Sequence, residues 1–184
     1  MNVYKIRFDW SIRSFAPNLS EERRMRIDEG FGLGRSVSSD WDPFTLVHIL
    51  NDDQKLDPIG DFFTVFMRAV IGVTPQALGV EGAKESLLQC GEILPVEYER
   101  ETFWLLNCLN VVDALDPIQS DIVVCDNGHR YAWEMVFKRD LSISEWLFCV
   151  PESCANTFAT QHFVDFYREH QMTGLIFIPQ KTAS

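Results

Sequence analysis

No apolar run in this chain approaches the roughly 18 residues that a bilayer-crossing helix needs, so no membrane span is expected. The first ten residues carry Lys5, Arg7 and Asp9 and lack the apolar core of a secretory signal. Cysteine is sparse and odd in number: Cys90, Cys108, Cys125, Cys149 and Cys154, with no CxxC spacing. That argues against a disulfide framework and against a zinc ribbon. Most of these thiols lie in apolar runs, such as residues 106–109 and 147–150, where cysteine acts as a small buried hydrophobe in a reducing compartment. The expected location is the cytoplasm.

Positive charge is also short. Lys and Arg number 16 against 27 Asp and Glu, for a net charge of −11. Such a surface repels nucleic acid and anionic lipid, and it speeds encounter with a basic partner. The excess lies mostly beyond residue 60: residues 1–60 carry 10 acidic and 8 basic side chains, residues 61–184 carry 17 and 8.

Catalytic signatures are missing as well. None of His48, His129, His162 and His170 belongs to HExxH, and no GxSxG is present. The glycine-rich stretch 30–35 lacks the Walker lysine and the strand-before, helix-after context of a phosphate loop, so it reads as a mobile loop continuing through residue 39. Asp113 and Asp116 bracket Ala114-Leu115, but nothing separates their environments as an acid/base pair requires. Asp116-Pro117 and Ser120 read instead as turn-shaping residues. No enzyme activity, cofactor or metal is expected.

What is abundant is apolar. Such residues make up 46% of the 184, with 14 Phe, enough for one domain with a real core. Val3–Phe8 alternates as a first strand. Residues 19–29 form a charged helix capped by Ser20, and residues 44–50 a short strand. Residues 51–57 are turn-like, with the softest boundary in the chain just after them. Residues 61–71, apolar on nearly all sides, predict a buried helix stopped by Gly72. Thr74-Pro75 resembles an N-cap followed by Pro at the first helical position, and a second helix covers about 80–90 with Gly91 as its stop.

Strands follow. In residues 92–101, Leu94, Val96 and Tyr98 take one face, and Glu97, Glu99 and Glu101 the other as an acidic ladder. Residues 103–112 fit a strand covered on both faces. Residues 122–125 and 130–138 make a hairpin, with Asn127-Gly128 in a type I′ turn. Residues 145–150 are a further strand. Residues 160–170 carry Phe163, Val164 and Tyr167 at helical spacing, with Gly174 as the C′ residue and a last strand at 175–178. This order predicts an α+β fold: a mixed N-terminal part, then a mainly antiparallel sheet with a few packed helices. Trp104, Trp133 and Trp146 read as core. Trp10 and Trp41, in less regular surroundings, read as exposed interface anchors.

The stretch Phe103-Trp-Leu-Leu-Asn-Cys-Leu-Asn-Val-Val-Asp-Ala-Leu-Asp116, followed by Ser120, resembles a bacterial immunity-protein family of polymorphic toxin systems, first catalogued as a domain of unknown function. That family shows an Asn–apolar–Val-Asp-Ala-Leu-Asp signature with Ser a few residues on. Gly60-Asp-Phe-Phe63 resembles its Asp-Phe-Leu entry into a first shared helix, and Glu92-Ile-Leu-Pro-Val-Glu97 its Leu-Pro-Val strand. Trp146-Leu-Phe-Cys-Val, Phe163 and Met172-Thr-Gly-Leu-Ile-Phe177 resemble its closing block. Ile71-Gly-Val-Thr departs from the family's apolar-Val-Ser step.

The resemblance covers about residues 60–179. It implies an immunity domain over 60–184, with a variable part, residues 1–59, packed on the same core. It also implies binding and neutralisation of a cognate toxin, with no catalytic residue to carry over. The partner-facing candidates are Glu97, Glu99, Glu101, Asp113, Asp116, Trp10 and Trp41, and the expected partner is a basic toxin domain. An effector adaptor or chaperone, and an enzyme reversing a toxin's modification, remain the alternatives.

Overall fold

The computed structural model describes residues 1–28, 31, 34–66, 70–126, 128–153 and 156–184. Among them, β1 (Val3–Phe8), β2 (Ser14–Pro17), α1 (Glu21–Asp28) and β3 (Leu46–Ile49) come first. β4 (Phe62–Thr64), β5 (Val70–Val73), α2 (Pro75–Leu78), α3 (Ala83–Cys90), β6 (Gly91–Tyr98) and β7 (Glu101–Cys108) form the middle. β8 (Asp121–Val124), β9 (Arg130–Glu134), β10 (Val136–Phe137), β11 (Leu147–Phe148) and β12 (Phe158–Thr160) follow. α4 (Gln161–Glu169), β13 (Leu175–Pro179) and β14 (Lys181–Thr182) complete the order.

The fold is α+β and mainly antiparallel. Two four-stranded antiparallel sheets, β11-β12-β1-β13 and β4-β5-β7-β6, carry the core, and β2-β3 and β8-β9 are smaller antiparallel pairs. The short β10-β14 pair is parallel. Strand β1 lies inside its sheet, between β12 and β13, with Ile6 opposite Phe177. Its alternation explains this place, because Tyr4, Ile6 and Phe8 turn to one apolar cluster and Val3 to another.

The central cluster joins the two sheets through Ile6, Phe62, Ile71, Leu106 and Leu147, with Phe163, Val164 and Tyr167 of α4 laid on them. Each large apolar side chain withdrawn from water here is worth roughly 1.5–3 kcal/mol. A second cluster covers the other face of β4-β5-β7-β6 with Phe15, Phe31, Phe44 and Leu46. A third lies between the first sheet and the β8–β10 region.

Local signals formed as read where one residue decides them. The Ser20 hydroxyl accepts from the Arg23 N–H at the start of α1. The Thr74 hydroxyl accepts from the Ala77 N–H, with Pro75 at the first helical position. The helix expected over 61–71 did not form: β4 and β5 occupy its two ends, and residues 67–69 lie outside the described residues. A run buried on every side has no period, and β-branched Thr64, Val70, Ile71 and Val73 favour strands. Gly72 therefore ends no helix. It sits in β5 beneath the Phe63 ring, where a Cβ would come 2.1 Å from Phe63 Cε2.

The end of α4 also differs. Its C′ residue is Gln171, at φ 51°, with its N–H on Arg168 O and the Met172 N–H on Tyr167 O. Gly174 serves another purpose. At φ +103° it runs so close to β4 that a Cβ would stand 1.7 Å from Phe62 O. The β8–β9 hairpin is present, but its loop is not a two-residue turn. Cys125 N–H reaches His129 O and Gly128 N–H reaches Cys125 O, with Gly128 at φ +79°. Asn127 lies outside the described residues. The two-residue turn with both φ positive is at Glu99-Arg100, φ 47° and 72°, between β6 and β7.

The loop expected to be mobile over residues 30–39 is anchored where it is described; Gly30, Gly32 and Leu33 lie outside that set. Phe31 is fully buried. The Glu92 carboxylate accepts from Ser36 Oγ at 2.6 Å, Val37 N at 2.7 Å and Asn107 Nδ2 at 2.8 Å. Asn107 also donates to Arg35 O at 2.9 Å. Burial raises the Glu92 carboxyl, but these bonds together outweigh it and hold the group below its ordinary value of 4.5. The ionised form thus favours the fold: its contribution is complete above the unfolded value and fades as pH falls through the lower folded one. Glu92→Gln is expected to lower the urea midpoint at pH 7, and the gap to the parent should close as pH drops below about 4. Urea titrations at several pH values would measure it, and a gap that holds at low pH would discount the carboxylate.

Candidate functional site

The signature residues are fold-holding. Asn110 Nδ2 donates to Leu147 O at 3.1 Å, and Asn110 O accepts from Cys149 N, which ties the end of β7 to β11. The Asp116 carboxylate accepts from the backbone N–H of Ile118 and Gln119, both at 2.9 Å, closing the turn at Pro117. Buried Ser120 Oγ accepts from Val136 N and donates to Val136 O, both at 3.0 Å. Ser120→Ala leaves the Val136 N–H without its partner, and is expected to cost about 1–3 kcal/mol. The check is a lower urea midpoint with an unchanged slope. Asp113 is exposed and paired with Lys138 at 2.9 Å.

The acidic ladder does not exist as expected. The Glu99-Arg100 turn ends β6, so Glu101 opens β7 opposite Tyr98 and shares the face of Tyr98 and Phe103. Glu97 is on the opposite face, across from Thr102. Glu99 accepts the Tyr98 hydroxyl at 2.8 Å. Glu101 lines a depression of about 230 Å³ with Ile59 and Asp61.

The tryptophans also separate differently. Trp41 is half-buried: its Nε1 donates to Pro95 O at 2.9 Å and its ring packs on Phe31 and Phe44. Trp104 and Trp146 are half-buried too, and Trp146 packs on Phe163 and Phe166 of α4. Trp133, expected in the core, is 73% exposed beside Tyr131 on the β8–β9 hairpin. The inward face of that hairpin is held by Ile122 and Ala132 instead.

Trp10 is 68% exposed and stands at a cleft of about 350 Å³. Phe66, Ile49 and Leu50, each more than a third exposed, line the same cleft, and so do Asp52 and Asp57. Apolar and acidic side chains thus meet around one open concavity. The β2–β3 pair and the 51–57 turn position this cleft. Asn51 Nδ2 donates to Asp57 Oδ1 and its Oδ1 accepts from Lys55 N, both at 2.9 Å, which fixes the turn. Arg13 ties it to the β6–β7 turn: Nε donates to Asp57 O at 2.9 Å and Nη1 to Tyr98 Oη at 3.1 Å. Glu99 is thereby brought toward the side of the molecule that Trp10 occupies, whereas Asp113 and Asp116 belong to the β10 region. Burial, and then its bond to Glu99, push the Tyr98 hydroxyl above its ordinary value.

Phe66, Ile49 and Leu50 were not singled out in the sequence. The only available signal was apolar residues flanking a polar turn. A larger depression of about 430 Å³ contains Arg23 and Trp41, but Trp41 is tied down there and Arg23 is paired with Asp42 at 3.0 Å.

The cysteines offer little chemistry. Cys90, Cys108 and Cys149 are buried and Cys125 is half-buried; Cys154 lies outside the described residues. Burial pushes the Cys90 thiol up to about 11, and a hydrogen bond to Cys149, with burial, raises Cys108. Among the described residues, no group of three His, Cys, Asp or Glu side chains is arranged to hold a metal ion. No helix among them is long and apolar enough to cross a membrane. Searched against protein-family models the chain matches none, and no curated protein matches it significantly.

Proposed function

We propose that this chain is an immunity protein of a bacterial polymorphic toxin system, which binds a cognate toxin domain one to one in the cytoplasm and occludes it. The observation that carries the reading is the Trp10 cleft: an exposed aromatic and aliphatic concavity edged by carboxylates, built on a well-packed scaffold. It is the kind of surface a protein partner desolvates, with large side chains at the centre and charge at the rim. The resemblance of residues 103–120 to the immunity family supports the same role, and the net charge of −11 favours a basic toxin. The mechanism uses no catalysis by this chain.

The test is a titration of a purified candidate toxin domain with this chain. Loss of toxin activity at one equivalent, with a complex that survives gel filtration, supports occlusion. Protection at a few hundredths of an equivalent means turnover and supports an enzyme that reverses the toxin's modification. Binding without loss of activity supports an adaptor.

A further inference from the structure

We propose that the Trp10–Phe66 cleft is a socket for one cationic side chain, arginine or lysine, presented by the partner; the inference rests on the reading that a protein docks on this face. Its lining combines Trp10, Phe66, Ile49 and Leu50 with the carboxylates Asp52 and Asp57. Neither Lys nor Arg is among the described residues lining it.

Among the described residues, the nearby cations already have partners, and Arg24 donates to Phe66 O at 3.0 Å. Arg13 is bonded to Asp57 O and Tyr98 Oη, and Lys55 is 3.9 Å from Asp53. Asp52 is exposed and has no hydrogen bond or ion pair among the described residues, while Asp57 Oδ1 is held by Asn51.

Each class of occupant meets this lining differently. A purely apolar group would strip water from Asp57 without replacing its hydrogen bonds. An anion is repelled. A small bare cation leaves the aromatic and aliphatic walls wet. A long side chain with an apolar stem and a charged tip satisfies both halves at once: the stem covers Ile49 and Leu50, and the tip meets the ring faces and the carboxylates.

The probes are N-acetylarginine amide and its citrulline counterpart, which has nearly the same shape and no charge. The readout is the indole N–H resonance of Trp10 in a proton–nitrogen correlation spectrum of the full chain, assigned by its loss in Trp10→Phe. The arginine probe is expected to move this resonance saturably at millimolar concentration, and the citrulline probe to leave it in place. Asp52→Asn, on an exposed side chain, is expected to weaken the arginine response by up to roughly five-fold. A Trp10 resonance that neither probe moves, or that both move equally, overturns the socket. If the arginine probe fails while one equivalent of chain still silences the toxin, the socket falls and the immunity reading stands. If the probe binds and the toxin stays active, the socket stands and the immunity reading falls.

Discussion

Gly174→Ala is expected to destabilise the fold by about 3–5 kcal/mol, a large part of the roughly 5–15 kcal/mol by which an ordinary domain is stable. Two causes act together. The backbone at 174 has φ +103°, which side-chain-bearing residues rarely adopt. The added Cβ would also stand 1.7 Å from Phe62 O and 2.7 Å from Phe62 C, and neither is the end of a flexible side chain that can swing aside.

Relief requires β13 to move away from β4. That would strain the Phe62 N–H bond to Thr173 O, the Asp9 N–H bond to Gly174 O and the paired Tyr167–Leu175 bonds. The urea midpoint measures the loss. Gly82→Ala is the control: φ is +77° there, but no atom lies within 4 Å of the added carbon, so only the conformational cost of roughly 1 kcal/mol remains. Equal effects at the two positions would mean that the close approach to Phe62 contributes nothing.

If the chain docks a toxin domain as proposed, Trp10→Ala is expected to weaken that complex by roughly ten- to a hundred-fold and to leave the urea midpoint where it was. The ring is 68% exposed in the free chain, so its removal exposes little core. In the complex it would be the largest apolar surface newly covered in the cleft, and truncating such an anchor typically costs about 2 kcal/mol. Trp133→Ala removes an equally open indole from the β8–β9 hairpin and is expected to leave the affinity unchanged. Isothermal titration of both variants against the purified toxin decides between the two surfaces. A loss confined to Trp133→Ala would move the docking face to the hairpin.

The pattern of agreement and difference has a physical basis. Elements set by neighbours in sequence were legible: the alternation of Val3–Phe8, the Ser20 and Thr74 caps, and the Phe163-Val164-Tyr167 stripe of α4. Residues 61–71 misled because full burial erases the period that tells helix from strand. Glu101 was assigned to the wrong face because Glu99 and Arg100 turn the chain with positive φ, although neither is Gly or Asn, the residues that normally announce such a turn. Trp133 alternates correctly within its strand, but alternation alone does not say which face a sheet hides.

The candidate site was only half legible. Trp10 stood out by its irregular surroundings. Its companions come from residues 49–57 and 66, each an ordinary apolar or polar residue until the β2–β3 pair and the Arg13 bonds assemble them. The signature stretch, the most conspicuous motif in the sequence, binds the chain to itself through Asn110, Asp116 and Ser120.

The place of β1 between β12 and β13 carries a consequence for synthesis. A strand made within the first ten residues waits for partners that leave the ribosome only after residue 158, and for its second edge until residue 175 and beyond. Closing so long a loop is slow, and an unpaired apolar strand is a site for wrong associations in the interval. The first sheet therefore closes only once the chain has been made through residue 179.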